Sequence, residues 1–245
     1  MTSPHQLYSE LAHYWPLLSP PESLQEEAQK CLALLTEKTG FINNILELGC
    51  GSGSLASHFP EPLQATLVDH SSEMLALSQA RNPQHTHHCL DVRDFKLNFI
   101  FDAVLMHDAV MYLTSPTDLL ATLKTAAHHV RPGGTVLFIP DVVTETFSPG
   151  HTLVGGFDTE TCSGRLTEWH HSADPSKNNY KVEFSLMIME KNAPVRCIHE
   201  THTMGLFSFD EWNALLQAAG FVLAPPHFDV NGPAGIPFRA YRPTE

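Results

Sequence analysis

Basic residues are scarce in this sequence. It has 14 Lys and Arg against 27 Asp and Glu, which gives a formal net charge of −13 at pH 7. The Lys and Arg residues are dispersed singly and form no basic stripe, whereas binding to a phosphate backbone normally depends on clustered cations. The composition therefore disfavours nucleic acid as a partner and favours a small molecule.

Long apolar runs and paired cysteines are also missing. No apolar run approaches the roughly 20 residues that span a bilayer. The opening segment MTSPHQLYSE lacks a basic region followed by an apolar one, so we expect neither a signal peptide nor a membrane partner. The five cysteines are scattered, without a CxxC pair. Free thiols in a reducing cytosol suit them better than a disulfide framework, and we expect a cytoplasmic protein.

Strand-like and helix-like segments alternate through the first part of the chain. This alternation predicts an α/β fold with a doubly wound parallel sheet, and 245 residues suffice for one such core. The predicted helices are PPESLQEEAQKCLALLTEKTGF, SSEMLALSQAR and SPTDLLATLKTAAHHVRPGG, the last beginning after Ser115 and stopping at Gly133. The predicted strands are FINNILEL, LQATLVD, HTHHCLD, FDAVLMH and TVLFIPD.

The pattern changes after the fifth strand. Residues 148–204 contain no clear helix, but GRLTEWHH, YKVEFSLMIME and VRCIHETHTM have the features of antiparallel strands. A helix then follows in SFDEWNALLQAAGF, and FVLAPPHF and IPFRAYR are closing strands. We expect a cofactor-binding core with an N-terminal helical cap over residues 1–147, an antiparallel β insertion over 148–204, and a return to the core over 205–245.

Three alternating glycines mark the turn after the first strand. In NILELGCGSGSLASHF they are Gly49, Gly51 and Gly53, and a helix-like segment follows. The third glycine comes one residue too early for the G-x-G-x-x-G turn of nicotinamide enzymes, and no Lys-Ser or Lys-Thr follows as in a P-loop. The stretch instead resembles E/D-x-G-x-G-x-G, the pattern of class I S-adenosylmethionine-dependent methyltransferases.

Further residues extend this resemblance from about residue 42 to residue 141. It implies S-adenosylmethionine as cofactor, with the glycines close to its amino-acid and ribose portions. Glu47 would lie beneath the methionine end, and Asp69, at the end of the second strand, would bind both ribose hydroxyls. Asp91 would read the adenine amino group, with Val92 supplying a backbone amide. His107, after the fourth strand, would lie at the rim of the cofactor.

The N-terminal segment LYSELAHYWPLL and the insertion resemble small-molecule N-methyltransferases of the sugar-amine and glycine types. In those enzymes a tyrosine closes over the cofactor and extra strands form a lid, which implies Tyr14 as the tyrosine and nitrogen as the favoured acceptor. HDAV stands after the fourth strand where the N-P-P-Y or D-P-P-F of base and glutamine methyltransferases would be. This difference further disfavours nucleic acid and protein substrates.

The residues for chemistry are less sharply marked, because methyl transfer depends mainly on proximity, orientation and desolvation. An amine must be neutral to attack, and a phenol needs a base. His107 and Asp108 follow the fourth strand where cofactor and acceptor should meet, and with Tyr14 they are the catalytic candidates. Candidates for substrate binding are Tyr112, Trp169, His170, His171 and His202. At strand period two, Trp169 and His171 share one face and His170 the other, and the inward face stays open.

Several alternatives remain at this level. An oxygen or carbon acceptor and a non-catalytic S-adenosylmethionine sensor fit the same cofactor residues, whereas a nicotinamide oxidoreductase is disfavoured by the glycine spacing. The histidine-rich stretches match neither H-E-x-x-H nor a Cys/His zinc spacing, so we expect no functional metal. The sequence predicts neither the acceptor nor the oligomeric state.

Overall fold

The computed structural model describes residues 5–225 and 235–244. Within them the chain forms a seven-stranded sheet and a four-stranded sheet. Helices cover the larger sheet, and the smaller sheet lies between its fifth strand and the last helix along the chain. The predicted fold class is therefore confirmed.

The larger sheet begins with five parallel strands. They are β1 (Asn44–Leu48), β2 (Gln64–Asp69), β3 (Thr86–Cys89), β4 (Phe101–His107) and β5 (Val130–Ile139). Two strands near the C-terminus, β10 (Val222–Leu223) and β11 (Phe238–Tyr241), complete it, and β11 pairs antiparallel with β5. The spatial order β10-β11-β5-β4-β1-β2-β3 brings the carboxyl ends of β1, β2 and β4 together at one edge. The predicted strand FVLAPPHF runs on to residues 226–228, which lie outside the described part.

Five α-helices lie in the described part of the chain, and three of them begin after a serine that caps the helix. They are α1 (Trp15–Leu18), α2 (Gln25–Thr36), α3 (Ser72–Arg81), α4 (Pro116–His129) and α5 (Phe209–Ala218), with short 3₁₀ segments before α1 and α2. Ser71 accepts a hydrogen bond from the N–H of Met74, and Ser115 does the same for Asp118. Ser208 and Glu211 form a capping box at α5.

Two local predictions are wrong. The segment after the glycine turn is not a helix but a short 3₁₀ turn over Ala56–His58. Gly133 does not stop the preceding helix, because α4 ends at His129 and β5 begins at once with Val130. Gly133 instead lies, at φ +73°, in the part of β5 where the pairing with β4 shifts register. A glycine that permits this irregularity in a strand looks, in sequence, like a glycine that ends a helix.

The smaller sheet has four antiparallel strands in chain order. They are β6 (Thr152–Asp158), β7 (Cys162–Asp174), β8 (Asn179–Glu190) and β9 (Arg196–Gly205). The sequence predicts the last three. It misses β6 because this edge strand is exposed along almost its whole length and shows no alternation of polar and apolar residues.

One face of the smaller sheet packs onto the core of the larger one. Its centre is the alternating row on β8 that the sequence predicts to be half-buried, and all five members are buried: Tyr180, Val182, Phe184, Leu186 and Ile188. They join the same apolar cluster as Val104 and Met106 of β4. The short 3₁₀ segment after β4, Ala109–Tyr112, lies against β9. In the described part of the chain, no helix has the length and apolar character needed to cross a membrane.

Candidate active site

The glycine turn after β1 is held open by left-handed backbone and one carboxylate. Gly49, Gly51 and Gly53 have φ values of +71°, +53° and +69°. Asp69, at the end of β2, accepts the N–H of Gly51 at 2.8 Å through Oδ2 and the N–H of Ser71 at 2.9 Å through Oδ1. The acid that the sequence assigns to ribose therefore also fixes the turn, and the remaining lone pairs of its oxygens stay available for hydroxyl donors.

Glu47 lies beneath this turn with an unsatisfied oxygen. Its side chain is buried, and Oε2 has no hydrogen-bond partner. Burial raises the pKa of Glu47 to about 8; the charge of His107 opposes this rise, and that of Asp69 adds to it. A buried carboxyl group without a partner suits a cationic ligand, which would supply both the missing hydrogen bond and the counter-charge. This arrangement fits the ammonium group of S-adenosylmethionine.

Asp91 occupies the exposed rim of the same edge, after β3. Its Oδ2 lies 2.6 Å from Nη2 of Arg93, whose Nη1 reaches Asp118 at 3.1 Å. The hydrogen bond from Arg93 holds the pKa of Asp91 below its usual range, although partial burial opposes the effect. Val92 is partly buried against the core beside it. The carboxylate is thus ionised and already oriented by one guanidinium.

His107, the last residue of β4, is clamped between two carboxylates. Nε2 lies 2.5 Å from Oε1 of Glu27 on α2, and Nδ1 lies 3.0 Å from Oδ1 of Asp108. Burial lowers the pKa of His107, but Asp108 and Glu27 outweigh burial and hold it well above its usual value. His107 is therefore an imidazolium at neutral pH, with a carboxylate oxygen beside each nitrogen, and it has no lone pair with which to act as a base.

Asp108 and Asp141 follow β4 and β5 and form a carboxyl pair, and the space that this pair borders is called the recess. Asp108 exposes 63% of its side chain and Asp141 is also exposed, yet burial among protein atoms is the largest influence on the pKa of each. Burial and the Asp108 charge hold the pKa of Asp141 well above its usual value. At Asp108 the charge of His107 outweighs burial and lowers the pKa. Asp141 therefore keeps its proton to a higher pH than Asp108 does.

The backbone at Asp108 is strained. Its φ is +40°, in the left-handed region that residues other than glycine rarely adopt. Strain of this kind costs on the order of 1–3 kcal/mol and persists where surrounding structure imposes it. With this backbone conformation, Oδ1 of Asp108 lies 3.0 Å from Nδ1 of His107.

The cross-strand pairing in the smaller sheet shows which of its side chains lie on its buried face. Val182 pairs with both His170 and His202, so all three point to the buried face. Phe184 likewise pairs with Glu168 and Glu200. The Glu168 charge raises the pKa of Asp141, Tyr8 and Tyr112, and it therefore lies close to the carboxyl pair.

Trp169 and His171 lie on the opposite face, and their prediction as substrate residues is wrong. Trp169 pairs with Glu183 and is 47% exposed. The ring of His171 stacks on Trp169, and its Nε2 lies 2.9 Å from Oε1 of Glu183. Because strand residues alternate between faces, the inward position of His170 excludes these two neighbours from the recess.

Aromatic hydroxyls connect the N-terminal segment to the recess. Tyr112 donates to the hydroxyl of Tyr8 at 2.9 Å and lies 2.8 Å from Nδ1 of His202. The backbone carbonyl of Tyr8 accepts from Ser71, directly beside Asp69.

Tyr14 occupies a different place in the structure. Its hydroxyl donates to Oε1 of Glu190, at the end of β8, at 2.6 Å, and its ring lies along that of Phe157 on β6. The hydrogen bond to Glu190 raises the pKa of Tyr14 to about 12. Tyr14 thus joins the N-terminal segment to the smaller sheet, and the structure does not bring it together with His107 and Asp108.

Three residues of the recess were not among the site residues that the sequence predicted. Asp141 follows β5, and the rule that ligands bind at the carboxyl ends of parallel strands could have identified it. Glu168 could be placed on a strand but not on a face. Nothing in the sequence associates Glu27, on α2, with His107.

Comparison with known proteins agrees with this geometry. Residues 45–134 match the family described as methyltransferase domain. The chain is 30% identical to the dTDP-3-amino-3,4,6-trideoxy-alpha-D-glucopyranose N,N-dimethyltransferase of Streptomyces venezuelae, over 79% of this chain and 81% of that one. It is 28% identical to the dTDP-3-amino-3,6-dideoxy-alpha-D-glucopyranose N,N-dimethyltransferase of Streptomyces fradiae, over 85% and 80%.

Solved structures show the same fold. The crystal structure of DesVI from Streptomyces venezuelae superposes with a TM-score of 0.79 at 26% identity, covering 89% of this chain and 91% of that chain. An S-adenosylmethionine-bound amino pentose methyltransferase from Micromonospora echinaspora gives a TM-score of 0.77 at 22% identity, with the same coverage.

The chain belongs to the class I S-adenosylmethionine-dependent methyltransferases. Within that class it is a methyltransferase of the sugar-amine type, an enzyme that transfers the methyl group of S-adenosylmethionine to a nitrogen of a small molecule. Of the alternatives left open by the sequence, these similarities support nitrogen as the acceptor and an S-adenosylmethionine-dependent enzyme.

Proposed function

We propose that the acceptor is the amino group of a sugar carried on a nucleoside diphosphate and that the enzyme methylates this amino group twice. The relatives of 30% and 28% identity are N,N-dimethyltransferases of dTDP-linked 3-amino sugars, and they match most of the chain. The observation that carries the proposal is the exposed carboxyl pair Asp108–Asp141 at the carboxyl ends of β4 and β5. The ionised carboxylate of Asp108 suits an amine, which arrives as an ammonium.

For the cofactor, we assign the residues around the glycine turn. Glu47 would hold the ammonium group, Gly49, Gly51 and Gly53 would permit close approach of the backbone, and Asp69 would bind the ribose. Asp91 and Val92 would hold the adenine, with Arg93 orienting the carboxylate of Asp91. When bound, S-adenosylmethionine supplies a methyl group activated by its sulfonium charge.

For the acceptor, Asp108 is the central residue. The charge of His107 lowers the pKa of Asp108 and keeps its carboxylate ionised, so Asp108 can accept a hydrogen bond from the amine and orient the amine lone pair for attack. His107 keeps Asp108 ionised and oriented and is a positioning residue rather than a base. Glu168 adds a second negative group from the smaller sheet.

The tyrosine over the site is Tyr8 in this proposal, in place of Tyr14. Tyr8 connects Ser71, beside the cofactor residue Asp69, to Tyr112 at the recess. Tyr112 would line the acceptor pocket, and His170 and His202 would support it from the buried face of the insertion.

The three segments expected from the sequence keep their roles in the proposal. Residues 148–204 would form the wall that closes the recess, and 1–147 with 205–245 the cofactor-binding core. All five cysteines are free, which supports a cytoplasmic location.

The proposal is tested with isotope-labelled S-adenosylmethionine and matched acceptors. The acceptors are a nucleotide-linked 3-amino sugar, the same compound with a hydroxyl in place of the amine, and the free amino sugar, and labelled methyl groups are counted by mass spectrometry. We expect two methyl groups on the nucleotide-linked amine and none on the hydroxyl compound. Equal kcat/KM for the free amino sugar would contradict the nucleotide part of the proposal.

Asp108→Asn tests the site itself. Asparagine has the size and shape of aspartate, so we expect the fold to be retained. We expect kcat to fall about 100-fold, because the amine loses the charged hydrogen-bond acceptor that orients it, with little change in cofactor affinity. Asp158→Asn is the matched control, because Asp158 is an exposed aspartate at the end of β6 that forms an ion pair with Arg165 of β7. An unchanged kcat in Asp108→Asn would remove Asp108 from the proposal.

A further inference from the structure

Three potential metal ligands from distant parts of the chain converge behind Tyr112. They are His5 in the N-terminal segment and Glu200 and His202 on β9, and one ligand atom from each lies within 4.8 Å of the others. Glu200 and His202 are two residues apart on a strand and so share its buried face. The ring of His5 stacks on that of His202 with 3.6 Å between centroids.

The hydrogen bonds around His202 fix its tautomer. Tyr112 gives its only proton to Tyr8, so its oxygen accepts from Nδ1–H of His202. The lone pair of the imidazole is then on Nε2. The His202 side chain is fully buried, and Nε2 has no hydrogen-bond partner. In metal-binding histidines one ring nitrogen has a free lone pair for the metal, and the other donates its N–H to an oxygen. His202 has this arrangement.

This nitrogen faces the Glu200 carboxylate. Nε2 lies 3.6 Å from Oε2 of Glu200, which is too long for a hydrogen bond. Two atoms that both present lone pairs repel one another unless a cation lies between them. Ligand atoms of a tetrahedral zinc ion are separated by roughly 3.4 Å, given bonds of about 2.0–2.2 Å. The observed separation is thus close to that of two ligands of one ion.

Glu200 is held in place by the backbone of the same N-terminal segment that carries His5. Its Oε1 accepts the N–H of Gln6 at 2.7 Å, and its Oε2 accepts the N–H of Leu7 at 2.9 Å. The carboxylate is thus already fixed beside Nε2 of His202.

We propose that His5, Glu200 and His202 bind one divalent transition-metal ion, with zinc the best match to two imidazoles and a carboxylate. His5 turns out of its stack on His202 so that one of its nitrogens faces the ion. The ion fastens the N-terminal segment, which carries Tyr8, onto β9, and its role is structural. Because 194 residues separate Gln6 from Glu200, no motif in the sequence could indicate such a site.

The test is a zinc titration of the full chain. Protein without a histidine tag is stripped with a chelator and titrated with Zn²⁺ by calorimetry, and with Co²⁺ by visible absorption. We expect one equivalent bound with a Kd of micromolar or tighter, and a rise in Tm on adding zinc. His5→Ala and Glu200→Gln should each weaken binding at least tenfold and abolish the rise in Tm. His5 is only half-buried, so its variant is expected to fold.

The matched control is His199→Ala. His199 lies on the opposite face of β9, where Nε2 lies 2.8 Å from Oε2 of Glu183. This variant should bind zinc as the wild type does. The proposal is overturned if the wild type binds no zinc saturably, if His5→Ala binds as tightly as the wild type, or if His199→Ala loses as much affinity as His5→Ala.

Discussion

Glu47 combines a cost in stability with a role in cofactor binding. A buried carboxyl group whose pKa is raised in the folded state stabilises that state only while it carries its proton. For Glu47 this contribution is complete below the ordinary pKa of 4.5 and is lost as the pH rises through about 8. The enzyme therefore keeps, at neutral pH, a group that weakens the protein without its ligand.

Replacing Glu47 by glutamine should remove this pH dependence. Between pH 5 and 8, the free energy of unfolding of the wild type should decrease relative to that of Glu47→Gln, by up to about 1.4 kcal/mol per pH unit. Urea unfolding of both proteins, without cofactor, at several pH values in this range measures the difference. Parallel curves for the two proteins would show that the carboxyl group is ionised throughout.

At the scale of residues, the sequence predicts where a residue lies along a strand better than it predicts which way the side chain points. Glu47, Asp69 and His107 could be placed because each lies at a strand end, and such ends meet at one edge of a parallel sheet. Tyr14 could not be placed, because the N-terminal segment has no strand or long helix to orient it. For His170 and Trp169, the two-residue period defines two faces but not the buried one, which depends on packing between the sheets.

At the scale of elements, the glycine turn after β1 depends on close packing as well as on backbone conformation. A Cβ atom on Gly49 would lie 2.2 Å from Cβ of Ala109, in the segment that follows β4. Gly40 has a similar φ of +77°, but a Cβ atom there meets nothing within 4 Å. The two positions separate the effect of strain from that of collision.

Gly49→Ala should therefore be far more harmful than Gly40→Ala. We expect Gly40→Ala to lower the free energy of unfolding by about 1 kcal/mol through left-handed strain alone. In Gly49→Ala the strands β1 and β4 must also move apart, so we expect a loss at least twice as large and no measurable S-adenosylmethionine binding. Chemical denaturation and calorimetry measure the two effects. Similar losses of stability in both variants would contradict this expectation, because they would mean that the turn accommodates a Cβ atom at position 49 without a collision.

The elements that the sequence predicts incorrectly have irregular backbone or no buried face. β6 has no alternating pattern, because its residues are exposed on both sides. The register shift at Gly133 and the 3₁₀ turn at Ala56–His58 are set by neighbouring strands rather than by local preference. Capped helices such as α3 and α4, and strands with a buried face such as β8, are predicted well because their signals are local.

At the scale of the whole molecule, charge should govern the encounter with substrate. The formal net charge is −13, and a nucleoside diphosphate sugar is also an anion, so the two repel at long range. Salt screens this repulsion, with a Debye length of about 30 Å at 0.01 M and 8 Å at 0.15 M.

We therefore expect kcat/KM for the proposed nucleotide substrate to rise a few-fold between these ionic strengths. A free amino sugar has no diphosphate and is a cation when its amine is protonated. Its kcat/KM should therefore change little or decrease as the salt concentration rises. Steady-state kinetics at several salt concentrations give the comparison. A decrease with salt for the nucleotide substrate would reveal a local cationic surface that overrides the net charge.

The hydrogen bonds from Gln6 and Leu7 to Glu200 also set an order of events during synthesis. They join positions 194 and 193 residues apart, so the segment that carries Tyr8 cannot dock until β9 has been synthesised. Contacts of such large sequence separation form late. A nascent chain can complete the parallel strands β1–β5 before this, and the contacts of Tyr8 with Ser71 and Tyr112 follow only once β9 is present.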